Sequence, residues 1–450
     1  MTALQTLGRF VAEGVRGQVP APTRERTGLH VIDTVGAWVT GAHTAEGQAL
    51  IATRKSVAAP AHLLSDDDLS RAIGIHCALA RLSEADNIHL ASAVTPGGIV
   101  IPAALTIAAA LEQTDGDALL EAIVAGIEAM VRLGLAIDGP TVLYRGIWPT
   151  YFATAFGVAA AAARLYDLDA AQTAHALALA LSLAAPGVGA HHAHSTSRWL
   201  AIGHAAHSGF IAARSSQAGF TSDLNLLDGS FLRGVYGITP NLGDAMAELG
   251  RRYAIDNTSI KPWCAARQTI AATQGLLELI ADGLSPGAIT AVEVHIPPPY
   301  LKMVDHGVES GNRASHLTSV QYRVALAACD RDRLYDVDSA PAAVADDVRQ
   351  FMQRVSVMGD QALLAHYPRA WPARVIVDTP DGRHERLVVA VPGDPQRPFD
   401  ERQVMDKFRR ILALFATERV DRLFGHARAI FDANRSPAAL LEEIGRNSLV

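Results

Sequence analysis

Apolar positions recur at helical spacing through most of the first 250 residues. In GLHVIDTVGAWVTG (28–41) they fall at i, i+3, i+4 and i+7, and the run stops at a glycine. PTYFATAFGVAAAAARLYDLD (149–169) and DAAQTAHALALALSLAA (169–185) are Ala-rich helices, the second with Asp169 as its N-cap. STSRWLAIGHAAHSGFIAARSSQAG (195–219) continues the pattern. Gly203 and Gly209 within it invite close approach of a neighbouring helix, at a cost of roughly 1 kcal/mol each relative to Ala. The texture changes near residue 255. ITAVEVHIP (289–297) alternates as a strand, and ARVIVDTPDGRHERLVVAVPGD (373–394) reads as a β-hairpin about its D-G turn. Between them NRASHLTSVQYRVALAACD (312–330) and APAAVADDVRQFMQRV (340–355) read as helices, and DERQVMDKFRRILALF (400–415) returns to helix.

The pattern predicts a mainly α protein with an α+β part. A large helical domain spans residues 1–255, a smaller α+β domain follows over 256–397, and residues 398–450 return to helix. Ligand sites commonly lie where two unlike domains meet.

Composition sharpens this picture in three places. Apolar residues make up 49% of the chain but aromatics only 6%, so Ala, Leu, Val and Ile carry the core, which suits close-packed helices. A formal charge of −7 excludes a broadly basic nucleic-acid surface and leaves room for a local cationic pocket. Cys77, Cys264 and Cys329 lie far apart, as expected of thiols in a reducing cytoplasm rather than a disulfide framework. The first residues show no basic-then-apolar signal pattern. ALLEAIVAGIEAMVRLGLAI (118–137) is apolar, but Glu121, Glu128 and Arg132 recur through it at helical spacing, which makes it a core helix and not a membrane span.

Four stretches carry candidate chemistry. EADNIHLASAVTPGGIVIPAAL (84–105) crowds polar side chains ahead of an apolar helix. Were 83–89 helical, Asp86 would orient the His89 imidazole and raise its basicity, and Ser92, Thr95 and the next helix start would receive an anion. The plainer alternative makes Ser92 or Thr95 a simple cap and leaves His89 exposed. In GAHHAHSTSRWLAIGHAAHSG, His191, His192, His194, His204 and His207 lack metal-ligand spacing, whereas Arg198 at a helix start suits a bidentate carboxylate clamp, or else is a surface arginine. SIKPWCAARQT places Lys261 and Arg267 about Trp263 and Cys264. A lysine desolvated there becomes a usable base, and a solvated linker lysine is the alternative. LYRGIWPTYF offers Tyr144, Arg145, Trp148 and Tyr151, as substrate contacts or as core aromatics. The nucleophile elbow, the P-loop and the dinucleotide fingerprint are absent, so no nucleotide or flavin is expected.

Taken in order, IDTVGAW, ADNIHLASAVTPGGIVIPAAL, WPTYFATAFGVAAAAARL, SRWLAIGHAAHSGFIAA, SIKPWCAARQTIAA and NRASHLTSVQYRVALA resemble the MmgE/PrpD family, which includes 2-methylcitrate dehydratases, cis-aconitate decarboxylases and iminodisuccinate epimerases. The resemblance implies one all-helical domain built from both chain ends, residues 1–255 and 398–450, with the α+β domain at 256–397 inserted. It also implies a homodimer and cofactor-free chemistry on a small carboxylate, with no nucleic-acid or membrane partner. It also exposes departures. Thr95 and Trp148 stand where the dehydratases and decarboxylases carry histidines, Ala266 where the decarboxylases carry another, and Arg198 where they carry a lysine, while Asp86, His89 and Lys261 are kept. Loss of those acids argues against dehydration. Epimerisation needs a base on one face, a proton donor on the other, and cations for the enediolate-like intermediate.

The expected activity is therefore epimerisation of a small amino- or imino-dicarboxylate, iminodisuccinate being the best single guess. Asp86, His89, Lys261 and Tyr151 would act as the catalytic set. Arg198, Arg267, Ser92, Thr95, Tyr144, Arg145 and Trp148 would bind substrate, with no metal and no cofactor. A hydro-lyase or decarboxylase of a tricarboxylate, and a carboxylate-binding protein without catalysis, are the alternatives.

Overall fold

The computed structural model describes residues 1–53, 62, 64–184, 195–338 and 343–445. Helices begin where the sequence supplies a side-chain acceptor for the first free N–H groups. Asp169 caps Ala170–Ser182 in a reciprocal box with Gln172, Asp400 caps Glu401–Ile411 with Gln403, and Ser65 and Asp115 cap Asp66–Leu82 and Gly116–Ala136. Helix Ser197–Gln217 packs against both Asp66–Leu82 and Pro149–Leu165. Its two glycines make that possible: a Cβ on Gly203 would lie 3.0 Å from the Gly74 carbonyl oxygen, and one on Gly209 2.3 Å from that of Ala155.

Both chain ends build the larger core. Glu401–Ile411 and Thr417–Arg428 pack on Ala21–His43, and Pro437–Gly445 packs on Gly97–Ala110. The polar stripe of Gly116–Ala136 is buried and paired. Glu128 binds Arg132 and the Ala254 N–H, while Glu121 binds the Gly17 N–H and Arg164. No helix among the described residues is long and apolar enough to cross a membrane.

A second apolar cluster, drawn from 88–93 and 263–391, surrounds a four-stranded sheet. Its strands are β1 (Ala291–Ile296), β2 (Val355–Gly359), β3 (Ala373–Thr379) and β4 (Gly382–Val388), in the order β2-β1-β3-β4. β1 and β2 run parallel and the other pairs antiparallel. The expected hairpin is β3–β4, closed by Pro380 and Asp381, with Gly382 at φ +139°. β2 was not foreseen, because only Val355 of its five residues is buried and period-two patterning is lost. The helix expected over 340–355 covers Asp346–Met352 in the described part and gives way to β2, and residues 339–342 lie outside the description.

The two helix glycines can be weighed against an open one. Gly209→Ala should destabilise by about 2–4 kcal/mol, since the methyl meets backbone that cannot retreat without parting two helices. Gly28→Ala, where no atom lies within 4 Å of the new methyl, should stabilise by about 0.5–1 kcal/mol. Urea denaturation of both variants checks the pair.

Candidate active site

Helix Asp66–Leu82 does not continue through 83–89. Glu84 takes a left-handed conformation (φ +52°), so the expected i,i+3 pairing of Asp86 with His89 is absent. The chain instead turns and bends through 83–87 to Ile88, which exchanges two backbone hydrogen bonds with Ser259 at 2.9 and 2.8 Å. That bridge joins segments 171 positions apart and delivers Lys261 onto the turn at Glu84. Lys261 Nζ donates to the Glu84 carbonyl oxygen at 2.9 Å and lies 3.4 Å from Glu84 Oε2 and 3.8 Å from Asp86 Oδ1.

Glu84 is the counter-ion of three buried cations. Arg81 Nη2 donates to its Oε1 at 3.1 Å, Arg198 Nη2 donates to the same oxygen, and Lys261 faces Oε2. Arg81 also reaches Asp86 Oδ1 through Nη1 at 2.8 Å. All five side chains are buried. Burial alone would push the Glu84 carboxyl up, but Arg81, Lys261 and Arg198 together hold it well below the usual carboxylate range. Asp86 goes the other way: burial raises it, aided by Glu84 and Asp33, against the pull of Arg81 and Lys261. Burial lowers the Lys261 amine, with Arg81 adding to the effect and the two carboxylates opposing it.

Arg81, Glu84, Arg198 and Lys261 form one wall of a cavity between the two apolar cores. Tyr151 and Trp148 close the helical side, and Arg267 and Trp371 the side of the sheet. Four of these groups carry buried donors with no acceptor among the described residues: Tyr151 OH, Trp148 Nε1, Trp371 Nε1, and Nε and Nη1 of Arg267. Arg267 is anchored through Nη2 alone, to Asp394 at 3.1 and 2.8 Å. The Arg198 guanidinium lies 5.1 Å from the Trp148 ring, and Tyr151 meets that ring edge-on at 5.2 Å. Burial raises the Tyr151 hydroxyl, against the fields of Arg198 and Arg81, so it stays protonated at neutral pH. Buried donors left without acceptors cost about 1–3 kcal/mol each. Several aimed at one cationic cavity suit an anionic ligand with oxygen acceptors at more than one point.

The structure brings Lys261, Tyr151, Arg198, Arg267, Trp148 and Thr95 to this cavity, with Asp86 directly behind Arg81. Tyr144 stands one layer back, its hydroxyl 3.4 Å from Nε2 of the lining residue Gln268. Four expectations need correction. His89 does not line the cavity: its Nδ1 pairs with Ser92 Oγ at 2.9 Å, and burial and Arg132 push its pKa down to about 4. Ser92 is therefore a partner of that ring and not a substrate contact. Arg145 is exposed and bound to the carbonyls of Tyr236 and Gly237. The helix start at Gly97 is also partly occupied, its first N–H taken by Asn87 Oδ1 at 2.8 Å. Arg81 and Glu84 were missed, although two charges three apart inside an apolar stretch are themselves a signal of a buried pair.

His204 and His207 stack at 6.2 Å, outside the cavity, and His191, His192 and His194 lie outside the described residues. Among the described residues no group of three or more His, Cys, Asp or Glu is placed to hold a metal ion. Compared with known families, residues 5–239 match the MmgE/PrpD N-terminal domain and residues 263–428 the MmgE/PrpD C-terminal domain. No curated protein matches the chain.

Glu84→Gln should destabilise the protein by about 3–5 kcal/mol, because three buried cations lose their common counter-ion. The pH dependence carries the sign. A carboxyl whose folded pKa lies below its ordinary 4.5 contributes fully above that pH and loses the contribution as pH falls further. The stability gap between wild type and variant should be constant above about pH 4.5 and narrow below it, as read by denaturant titrations across pH.

Proposed function

The chain belongs to the MmgE/PrpD family, whose members are generally enzymes acting on small carboxylates; from that premise we propose that it is a cofactor-independent epimerase of a small amino- or imino-dicarboxylate such as iminodisuccinate. The observation that carries this reading is the cavity itself. Buried, unpartnered donors of Arg267, Tyr151, Trp148 and Trp371 surround it, and a lowered lysine and a protonated tyrosine face it. None of its described lining residues is a histidine.

Arg267 offers two spare N–H groups to one carboxylate, and Arg198 with the Trp148 and Tyr151 donors meets the other. The neutral Lys261 amine takes the proton α to a carboxylate. The electron pair delocalises into that carboxylate, where the guanidinium charges stabilise it. Tyr151 returns a proton to the opposite face, leaving an ammonium and a phenolate, the state poised for the reverse reaction. Arg198 and Arg81 favour that phenolate. Asp86 holds Arg81 and neighbours Lys261, and His89 takes no part.

A lyase would share the first proton abstraction and then expel a β-substituent. One observation favours it: burial raises Asp86, which would supply a proton to a leaving hydroxyl, although Asp86 sits behind the wall and not on it.

Each stereoisomer of the dicarboxylate, incubated in deuterated water, should exchange its α-proton and converge on one mixture. Alkene absorbance or carbon dioxide release without such exchange overturns epimerisation in favour of a lyase. No turnover of any kind leaves a binding protein. Lys261→Ala should lower kcat by about 10²–10⁴-fold. Arg267→Lys, which keeps a cation on Asp394 and removes the spare N–H groups, should mainly raise KM, by about tenfold or more. Because the base works unprotonated and its pKa lies below the ordinary 10.5, kcat should rise with pH along a limb set below that value.

A further inference from the structure

Arginine outnumbers lysine 35 to 4 in this chain, the lysines being Lys55, Lys261, Lys302 and Lys407. Lys55 lies outside the described residues and Lys302 is exposed. The other two are each only 2% exposed, and they grip consecutive carbonyl oxygens of one turn: Lys261 Nζ donates to Glu84 O at 2.9 Å and Lys407 Nζ to Ala85 O at 2.7 Å. They come from different elements, Lys261 from the loop ahead of Arg267–Ala281 and Lys407 from Glu401–Ile411. Lys407 is held in turn by Asp33 of helix Ala21–His43. A chain that meets nearly every cationic need with arginine keeps lysine at these two places. A guanidinium is broad, planar and permanently charged, whereas an ammonium is compact enough to share one carbonyl with a carboxylate and can lose its proton.

We propose that Lys407, with Asp33, is a positioning residue for the base: it clamps the Glu84–Asp86 turn from behind, so that Lys261 is held against the cavity with Glu84 and Asp86 at set distances. The role rests on reading Lys261 as the base. Lys261 faces Glu84, Asp86 and Arg81, while Asp33 faces Lys407, Lys261 and Arg26. The two ammonium groups are therefore coupled through one carboxylate and one strained turn. Lys407 also borders an open cleft shared with Pro262, Trp263, Phe399 and Arg402, so a small amine can reach its place when the side chain is shortened.

The test uses the full chain labelled with ¹³C,¹⁵N-lysine, which gives four side-chain signals to follow by NMR titration. In Lys407→Met the Lys261 midpoint should rise by about half a pH unit or more, because a neighbouring cation is gone and Asp33 is left uncompensated. Lys302→Met should leave it in place. In turnover, Lys407→Met should lower kcat by about tenfold or more with KM within about threefold, and Lys407→Arg should recover part of it. In Lys407→Ala, added ethylammonium should restore part of kcat. An unmoved or falling Lys261 midpoint in folded Lys407→Met, or a change confined to KM, overturns the proposal. Should Lys407→Met fail to fold, Asp33→Asn reads the same coupling with inverted sign, the midpoint falling as a carboxylate is lost. If wild type shows no α-proton exchange, the epimerase reading fails, while the NMR arm still decides whether the two lysines are coupled.

Discussion

The structure around the cavity depends on one buried carboxylate. Glu84 answers Arg81, Arg198 and Lys261 at once, and each of those cations comes from a different part of the chain. In a dry interior an unmatched charge costs several kcal/mol, so three cations converge only where an anion is fixed among them. The left-handed backbone at Glu84 is the geometric expression of that demand. A continued helix would carry the carboxylate away from Lys261, whereas the turn aims both its side chain and its carbonyl oxygen at the ammonium. The Ile88–Ser259 bridge and the hydrogen bond from Lys407 to the Ala85 carbonyl flank the turn in the sequence and tie it to distant segments.

Prior neutralisation explains how several buried cations are tolerated around one cavity. Arg198 leans on Glu84 and Arg267 on Asp394, so neither guanidinium is an isolated buried charge. Each uses only part of its donor set internally: Arg267 keeps Nε and Nη1, and Arg198 keeps Nε. The protein therefore tolerates the cations through its own carboxylates and leaves these directional N–H groups without an acceptor among the described residues. A dianion entering such a site meets donors already oriented, which is what electrostatic preorganisation requires.

The parts of this arrangement legible in the sequence share a physical signature. Helices with dense apolar periodicity and a side-chain cap, such as Ala170–Ser182 behind Asp169, declare themselves locally. So do Lys261, Arg198, Arg267, Tyr151 and Trp148, polar or aromatic groups set against apolar stretches. Pairings that depend on distant segments do not. Asp86 with His89 follows from helical spacing, and fails because the helix stops at Leu82. Glu84 meets Lys261 177 positions away, and no local spacing encodes that. Lys407 left a trace that was readable. It lies three residues after Val404 and four before Ile411, on the buried face that also carries Phe408, where a solvated lysine has no place.

The same electrostatics bears on the proposed acid–base chemistry, in which no described histidine lines the cavity. An imidazole starts at 6.5, and His89, buried with one arginine in its field, is already pushed down to about 4. Placed among Arg81, Arg198 and Lys261, an imidazole would be held neutral and would be a feeble base. A lysine starts at 10.5, so burial and the Arg81 charge lower its amine from a high starting point, against the two carboxylates. Tyrosine is the matching donor: burial keeps its proton on at neutral pH, and the arginines that penalise a histidine cation stabilise the phenolate formed when that proton is given up. A cavity rich in fixed cations thus selects a base and an acid whose intrinsic pKa values begin high, and the Lys261–Tyr151 pair meets that requirement.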